Sequence, residues 1–225
     1  ARVVLGLVRA HAGRVAWEGR TVDYNDATAM RSLRREMQVV FQDPFGSLDP
    51  RMTAGQAVGE ALQALAGPVA SVAAQDRIRA ALSEVGLAAA FANRYPHEMS
   101  GGQCQRVAIA RAIVARPRLL VCDEAVSALD VSVQAQIVNL LHELSERYQM
   151  SLLFISHNLA VVRHLCDDVA VLRQGRLVEQ GSRAAIFNHP REAYTQALLA
   201  AVPDPDPVRQ RARIASAMNA SKPLR

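Results

Sequence analysis

Short apolar runs alternate with longer stretches in which apolar residues recur every three or four positions. Three runs have the length and composition of buried parallel strands, namely 36–41, 119–123 and 151–155. Residues 131–148 carry apolar side chains at helical spacing and predict an amphipathic helix. A further helical pattern follows Ser100-Gly101-Gly102. Strands that alternate with helices predict an α/β fold around a parallel sheet.

The rest of the chain predicts smaller elements. Residues 1–10 have one apolar side and predict the body of a helix, although no capping residue precedes it. Residues 13–20 alternate between glycines and predict a strand and turn of a small antiparallel sheet. Residues 168–172 and 177–180 predict a hairpin, and 191–202 a helix. The Pro-rich and basic residues 203–225 are expected to be mobile and without regular structure.

An alanine-rich region from Thr53 to Tyr95 is helical in pattern throughout. Gly67-Pro68 interrupts it once and Gly86 a second time. The region lies between the first predicted buried strand and Ser100. We therefore expect a separate helical lobe inserted into the α/β core.

Composition narrows the class of protein. A chain of 225 residues can bury one α/β core with a smaller lobe attached. The longest apolar stretches are interrupted by polar residues before they could span a membrane. Three cysteines without metal-ligand spacing indicate a reduced, cytosolic protein. The net charge of +5 comes from dispersed arginines, so nucleic-acid binding is not expected.

Two short motifs carry the candidate chemistry. Ser100, Gly101 and Gly102 stand before a helix, where free backbone amides can bind a phosphate. Asp123 and Glu124 end a buried strand, at the edge where α/β sheets bind ligands. Asp123 could bind Mg²⁺, and Glu124 could take a proton from water. Taken singly, the first motif is also typical of an ordinary turn and the second of a solvated loop.

The order and spacing of these motifs, followed by Ser127-Ala128-Leu129-Asp130, resemble the signature motif, Walker B motif and D-loop of ABC-type ATPases. Three further segments resemble the oligopeptide and dipeptide importers of that family. They are Phe41-Gln42-Asp43-Pro44 with Ser47-Leu48-Asp49-Pro50, Tyr95-Pro96-His97-Glu98, and His189-Pro190 with the residues from Tyr194 to Leu199.

The resemblance implies a P-loop ATPase domain with a RecA-like parallel sheet core, an inserted helical subdomain and a remnant antiparallel β subdomain. The implied division is 1–42 for part of the ATP-binding core with the β remnant, 43–99 for the helical subdomain, 100–190 for the remaining core, and 191–225 for a C-terminal extension and tail.

The resemblance also assigns roles to individual residues. Glu124 is the expected general base and His157 the γ-phosphate switch. Asp123 and Gln42 are the expected Mg²⁺ ligands, and Gln42 also belongs to the Q-loop. The remaining expected ATP contacts, made largely to the partner's nucleotide, are Ser100, Gly101, Gly102, Gln103 and Asp130.

ABC ATPases also need a Walker A loop with a lysine, and the sole lysine here is Lys222. We therefore expect an ABC importer subunit that starts just past its P-loop. The implied partners are a second ATPase subunit, two transmembrane permease subunits and, indirectly, a substrate-binding protein. The expected location is the cytoplasmic face of the membrane. A soluble ABC ATPase acting on nucleic acid or ribosomes, and an inert fragment, remain alternatives.

Overall fold

A computed structural model describes residues 1–67 and 70–201. The chain divides into two compact units, residues 1–158 and residues 159–225. Every candidate site residue named above lies in the first unit. The expected behaviour of residues 203–225 lies outside the described residues.

A three-stranded parallel sheet forms the centre of the first unit. Its strands are β3 (Met37–Val40), β4 (Leu119–Asp123) and β5 (Ser151–Ile155), with β4 in the middle. Leu120, Val121 and Cys122 of β4 are fully buried. Such continuous apolar runs are typical of strands that are covered on both faces. The α/β class and the three predicted strands are confirmed.

One helix precedes strand β4 along the chain and another follows it. Helix α4 (Gly101–Ile113) begins at the Ser100 cap and is buried along most of its length, and α5 (Val131–Tyr148) has the predicted bounds. Between α4 and β4, Arg116 has a φ of 57°, outside the right-handed helical region. Because Pro117 disfavours helical backbone in the residue before it, the chain leaves α4 at this point.

The region between β3 and α4 is helical, as the sequence predicts. It contains α2 (Ala54–Ala66), α3 (Ser71–Glu84) and two 3-10 helices, Ala89–Asn93 and Pro96–Glu98. Helix α2 starts with a capping box between Thr53 and Gln56. Val58 and Leu62 on α2 and Leu82 on α3 are fully buried, so both helices contribute to the apolar interior of the first unit.

The first ten residues differ from the prediction. They form turns instead of a helix, and only Leu5 donates a helix-type hydrogen bond, to Ala1. Gly6 has a φ of 69°, which ends the turn after one helical hydrogen bond. The amides of Leu7 and Val8 both point back to the carbonyl of Arg2.

The small antiparallel sheet is confirmed as β1 (Ala16–Trp17) and β2 (Arg20–Thr21). Helix α1 (Ala27–Glu36), which follows it, has no counterpart in the sequence prediction. Its Met30 and Leu33 pack with Leu5, Met37 and Val121 in one buried cluster. The helix therefore anchors the start of the chain to the central sheet.

The second unit contains α6 (Leu159–Leu165), β6 (Asp168–Arg173), β7 (Arg176–Ser182), α7 (Arg183–Asn188) and α8 (Ala193–Ala200). Strands β6 and β7 form the predicted hairpin. Its two turn residues, Gln174 and Gly175, have φ values of 50° and 77°, as a two-residue hairpin loop requires.

Among the described residues, no single helix has the length and hydropathy of a membrane span. Helices α2 and α3, which are bent relative to each other, meet the limits of length and hydropathy only when they are taken together.

We predict that the cap of α1 is needed for stability. The Asp26 Oδ1 atom accepts hydrogen bonds from the Thr28 and Ala29 amides at 2.8 and 3.2 Å. Asp26→Ala should lower the free energy of unfolding by about 1 kcal/mol, because these amides then lose their partner. Asp26→Asn keeps the acceptor and should stay within a few tenths of the parent value. Urea unfolding followed by circular dichroism measures both, and equal losses in the two variants would contradict the capping role.

Candidate active site at the carboxyl edge of the sheet

The parallel sheet brings the ends of β3 and β4 to one edge. Val40 pairs with Cys122, and the chain then leads into Gln42 on one side and Asp123 and Glu124 on the other. These three site residues line one cavity of about 450 Å³. The structure therefore brings together the two expected Mg²⁺ ligands and the expected base.

Glu124 leaves β4 with a left-handed backbone, at a φ of 53°. Its amide donates to the Ile155 carbonyl at the end of β5, at 2.9 Å. Its carbonyl accepts from the amide and the hydroxyl of Ser127, at 3.0 and 2.9 Å. A left-handed residue other than glycine costs about 1 kcal/mol, so these bonds are needed to hold the turn.

His157 follows β5 and reaches the same carboxylate. Its Nδ1 atom lies 3.4 Å from Glu124 Oε1. The imidazole is 71% exposed and the Glu124 side chain 33% exposed, so the pair contributes little to stability. Its significance is geometric, since it places an imidazole beside the expected base.

The signature segment is organised by a capping box. Ser100 Oγ accepts from the Gln103 amide at 3.3 Å, and Gln103 Oε1 accepts from the Ser100 amide at 2.9 Å. Gln103 is therefore engaged in holding the helix start. In the described structure the Gly101 and Gly102 amides make no hydrogen bond, which leaves two donors at the positive end of α4.

The two glycines differ in their surroundings. A Cβ on Gly102 would lie 2.6 Å from Val133 Cγ1, in the first turn of α5. A Cβ on Gly101 would have only ordinary contacts, the nearest at 3.6 Å to Leu129 Cδ2. Gly102 thus permits the close approach of α4 and α5, whereas the surroundings of Gly101 would accept a methyl group.

The structure places the expected site residues in two groups. Ser100, Gly101, Gly102 and Gln103 form the start of α4, and none of them lines the cavity of Gln42 and Glu124. Asp130 lies at the exposed N-cap position of α5, and its side chain makes no capping hydrogen bond. Within one chain, the start of α4 and the carboxylate cavity are therefore separate features.

Sequence reasoning missed two polar side chains of α4 that connect these features. Arg111 Nη1 donates to the Ser47 carbonyl, in the loop that follows Gln42. Burial lowers the pKa of Arg111, and the charge of Glu60 opposes that shift. Gln105 donates to the Ala125 carbonyl, one residue after Glu124. The available signal in the sequence was a polar residue within a helix of apolar periodicity. The spacing of residues does not reveal which distant carbonyl such a side chain contacts.

The donor set at the cavity has the chemistry of a magnesium site that is completed by other ligands. Mg²⁺ prefers oxygen ligands and usually keeps waters or substrate phosphates beside one or two carboxylates. Asp123 and Gln42 offer such oxygens. Among the described residues, no cluster of three or more His, Cys, Asp and Glu side chains is placed to hold a metal. The residues present therefore fit Mg²⁺ shared with phosphates.

The chain belongs to the ABC transporter family, whose sequence model matches residues 1–127. The match contains both the signature segment and the Asp123-Glu124 pair. A second model, described as the C-terminal region of oligopeptide/dipeptide transporters, matches residues 178–223. Together they confirm the resemblance inferred from the motifs, including its peptide-importer branch.

Individual relatives agree with this assignment. The chain is 48% identical over 207 residues to the oligopeptide transport ATP-binding protein OppF of Salmonella typhimurium and 47% identical to OppF of Escherichia coli. Each alignment covers 92% of this chain and 62% of the relative. A putative peptide import ATP-binding protein of Brucella ovis is 48% identical, with coverage of 92% and 65%. The chain thus spans less than two thirds of the length of these relatives.

Solved structures share the fold. One is cbiO1 from Clostridium perfringens, part of the ABC transporter complex cbiONQ, with a TM-score of 0.75 at 23% identity and coverage of 97% and 80%. Another is the dimeric ATP-binding cassette MJ0796 bound to ADP and Pi, with a TM-score of 0.71 at 27% identity and coverage of 81% and 78%. The ABC ATPase fold predicted from the sequence is therefore confirmed.

We predict opposite effects of an added methyl group at the two signature glycines. Gly102→Ala should destabilise the chain by about 1–3 kcal/mol, because the methyl group overlaps Val133. Gly101→Ala should be neutral or stabilising by up to about 1 kcal/mol. Urea unfolding measures both values. Val133→Ala should relieve the clash in a Gly102→Ala background, and a lack of any relief would show that the packing argument is wrong.

Proposed function

We propose that this chain is the ATP-binding and ATP-hydrolysing part of an ABC importer that takes up oligopeptides, dipeptides or related small solutes. The observation that carries the proposal is the cavity in which Gln42, Asp123 and Glu124 meet, with His157 on the Glu124 carboxylate. Family membership and the OppF relatives support the same activity.

The geometry suggests a role for each side chain. Glu124, one-third exposed at the cavity wall, is the general base that accepts a proton from the attacking water. His157 lies within reach of that carboxylate and of a γ-phosphate placed beside it. Asp123 and Gln42 would hold Mg²⁺, which would supply neutralisation of phosphate charge. Catalysis in this arrangement is mainly positioning and charge stabilisation.

The separation of the helix start from the cavity supports a shared site. Ser100 and the free amides of Gly101 and Gly102 are suited to the γ-phosphate of a nucleotide on a second ATPase subunit. Gln103 supports that helix start, and the unengaged Asp130 carboxylate belongs to the seam between subunits. The partner is a second subunit of this family, identical or homologous. The dimeric MJ0796 cassette has the same fold.

The remaining partners follow from the importer assignment. Residues 43–99 form the helical subdomain, which docks on a membrane-embedded partner. The importer contains two transmembrane permease subunits, and a binding protein delivers the solute to them. Residues 1–42 and 100–190 form the ATPase core, and 191–225 a C-terminal extension. The protein works at the cytoplasmic face of the membrane, with ATP and Mg²⁺ as its ligands.

Turnover tests the assignment of the base. The experiment uses an extended chain, defined here as this sequence preceded by the strand and Walker A loop of its family, since Lys222 is the sole lysine of the sequence. Glu124→Gln should lower the ATPase kcat by about 10²-fold or more. ATP affinity measured by calorimetry should stay near the parent value, because the phosphate and Mg²⁺ contacts remain.

Two comparisons make this result interpretable. The 225-residue chain without the added segment should bind ATP weakly and should not hydrolyse it, and micromolar affinity would contradict the need for that segment. If the extended parent hydrolyses ATP and Glu124→Gln stays within a few-fold of it, Glu124 is not the base. An extended parent that is inactive even in membranes with its permeases would overturn the proposed function.

Mixed dimers test whether the signature segment acts on the partner's nucleotide. Ser100→Arg puts a bulky side chain where the phosphate must approach. If sites are shared, a dimer with this change in one subunit and a disabled Walker A lysine in the other keeps one intact site and about half of the parent turnover. A dimer with both changes in the same subunit should have two damaged sites and almost none. The measurement is ATPase activity of dimers isolated with two different affinity tags.

The reverse pattern would show that the signature segment serves its own subunit's nucleotide. In that case the lesions in different subunits would damage both sites, and the double lesion in one subunit would spare a site. If sites are shared, ATP binding to the Walker A loop of the Ser100→Arg subunit should remain near the parent value. A loss of turnover then cannot be explained by a loss of ATP binding to that subunit.

A further inference from the structure

Gln105 is a fully buried polar side chain in the middle of the signature helix. Its exposed fraction is 0%, and its neighbours on α4, Cys104 and Val107, are equally buried. A buried amide is costly unless it is hydrogen-bonded. Gln105 Nε2 donates to the Ala125 carbonyl at 2.7 Å, across twenty residues of sequence. Because a carbonyl can only accept, this contact requires the NH₂ end of the side chain.

The backbone carbonyl that accepts this hydrogen bond is adjacent to the expected base. Ala125 directly follows Glu124 and is 1% exposed. The other hydrogen bonds on this turn come from the end of β5, through Ile155, and from Ser127. Gln105 adds a hydrogen bond to this turn from a different element, helix α4. The left-handed backbone of Glu124 is thus fixed both before and after its Cα atom.

Fold stability does not single out a glutamine at this position, because the side chain pairs one buried acceptor, the Ala125 carbonyl, and buries another of its own. The second polar atom of the side chain, Oε1, is buried and has no hydrogen-bond partner among the described residues. Such an unpaired acceptor destabilises the folded state. A methionine would fill a similar volume and remove the Oε1 acceptor, but it would leave the Ala125 carbonyl without this donor. The amide therefore has its clearest purpose in the contact with Ala125.

We propose that Gln105 is a positioning residue for Glu124, an inference that rests on the proposed role of Glu124 as general base. The Gln105 side chain does not line the cavity, so it affects the reaction only through the turn. Without its hydrogen bond, the turn is free to relax toward a right-handed backbone. The carboxylate then moves relative to the attacking water, while the groups that hold phosphate and Mg²⁺ stay in place.

The principal test is Gln105→Met in the extended chain, reconstituted with its permeases. We expect kcat to fall about 10- to 100-fold, as misplacement of a catalytic group by an ångström can cause, with KM for ATP within about twofold of the parent. The same change in a Glu124→Gln background should lower the residual turnover by less than twofold. A residue that acts through Glu124 has nothing left to position there.

A matched packing control separates positioning from general destabilisation. Ile109→Val alters a side chain that is also fully buried on α4 and has no polar contact. It should lower Tm and leave kcat within about twofold of the parent. If Ile109→Val lowers kcat as much as Gln105→Met, the effect comes from loosening of α4 and the inference is overturned.

A second variant gives a pH-dependent readout and covers the case in which Gln105→Met does not fold. The carboxyl group introduced by Gln105→Glu can donate to Ala125 only when it is protonated, and burial favours that form. The ratio of its kcat to that of the parent should therefore rise as pH falls from 8.5 to 6. A ratio that is independent of pH would contradict the donor role.

The outcomes separate this inference from the proposed function. If Glu124→Gln abolishes turnover but Gln105→Met keeps the parent kcat, the base assignment stands and the positioning role is wrong. If Glu124→Gln retains turnover, the proposed mechanism fails first, and the positioning role fails with it. Additive losses in the double variant also exclude an action of Gln105 through Glu124.

Discussion

The left-handed backbone at Glu124 is the constraint around which the described site is arranged. It turns the chain at the end of β4, so that the carboxylate projects into the cavity instead of continuing along the sheet. Three neighbouring elements hold the turn, through Ile155 at the end of β5, Ser127 in the following loop and Gln105 on α4. A strained residue persists only where its surroundings fix it, and such residues concentrate at functional sites.

Helix α4 links this turn to the other parts of the first unit. Its start offers two free amides, its middle holds the peptide after Glu124, and its last turn holds the loop after Gln42 through Arg111. Arg106 on the same helix donates to the Val85 carbonyl at the end of α3, within the helical lobe. A displacement of α4 therefore acts on the lobe, the loop and the base together, because one rigid, buried element contacts all three.

The sequence predicted the elements whose signals are local. Strands β4 and β5 and helix α5 were predicted with their observed bounds, because apolar runs and clear boundary residues mark them. Helix α1 was missed because its residues are mostly charged or small and its apolar side consists of Met30 and Leu33 alone. The helix predicted for residues 1–10 ignored the freedom of Gly6 to adopt a positive φ. The contacts of Gln105 and Arg111 join residues far apart in sequence, and no periodicity contains that information.

The polar anchors of α4 share a property that bears on how this family diverges. Gln105, Arg106 and Arg111 donate to backbone carbonyl oxygens, and Arg77 reaches the backbone of Val114 in the same way. A main-chain acceptor is present whatever side chain its residue carries. The accepting positions are therefore free to drift during evolution while the donors are not. A substitution of Ala125, for example, would leave its carbonyl acceptor in place, whereas a substitution of Gln105 would remove the donor.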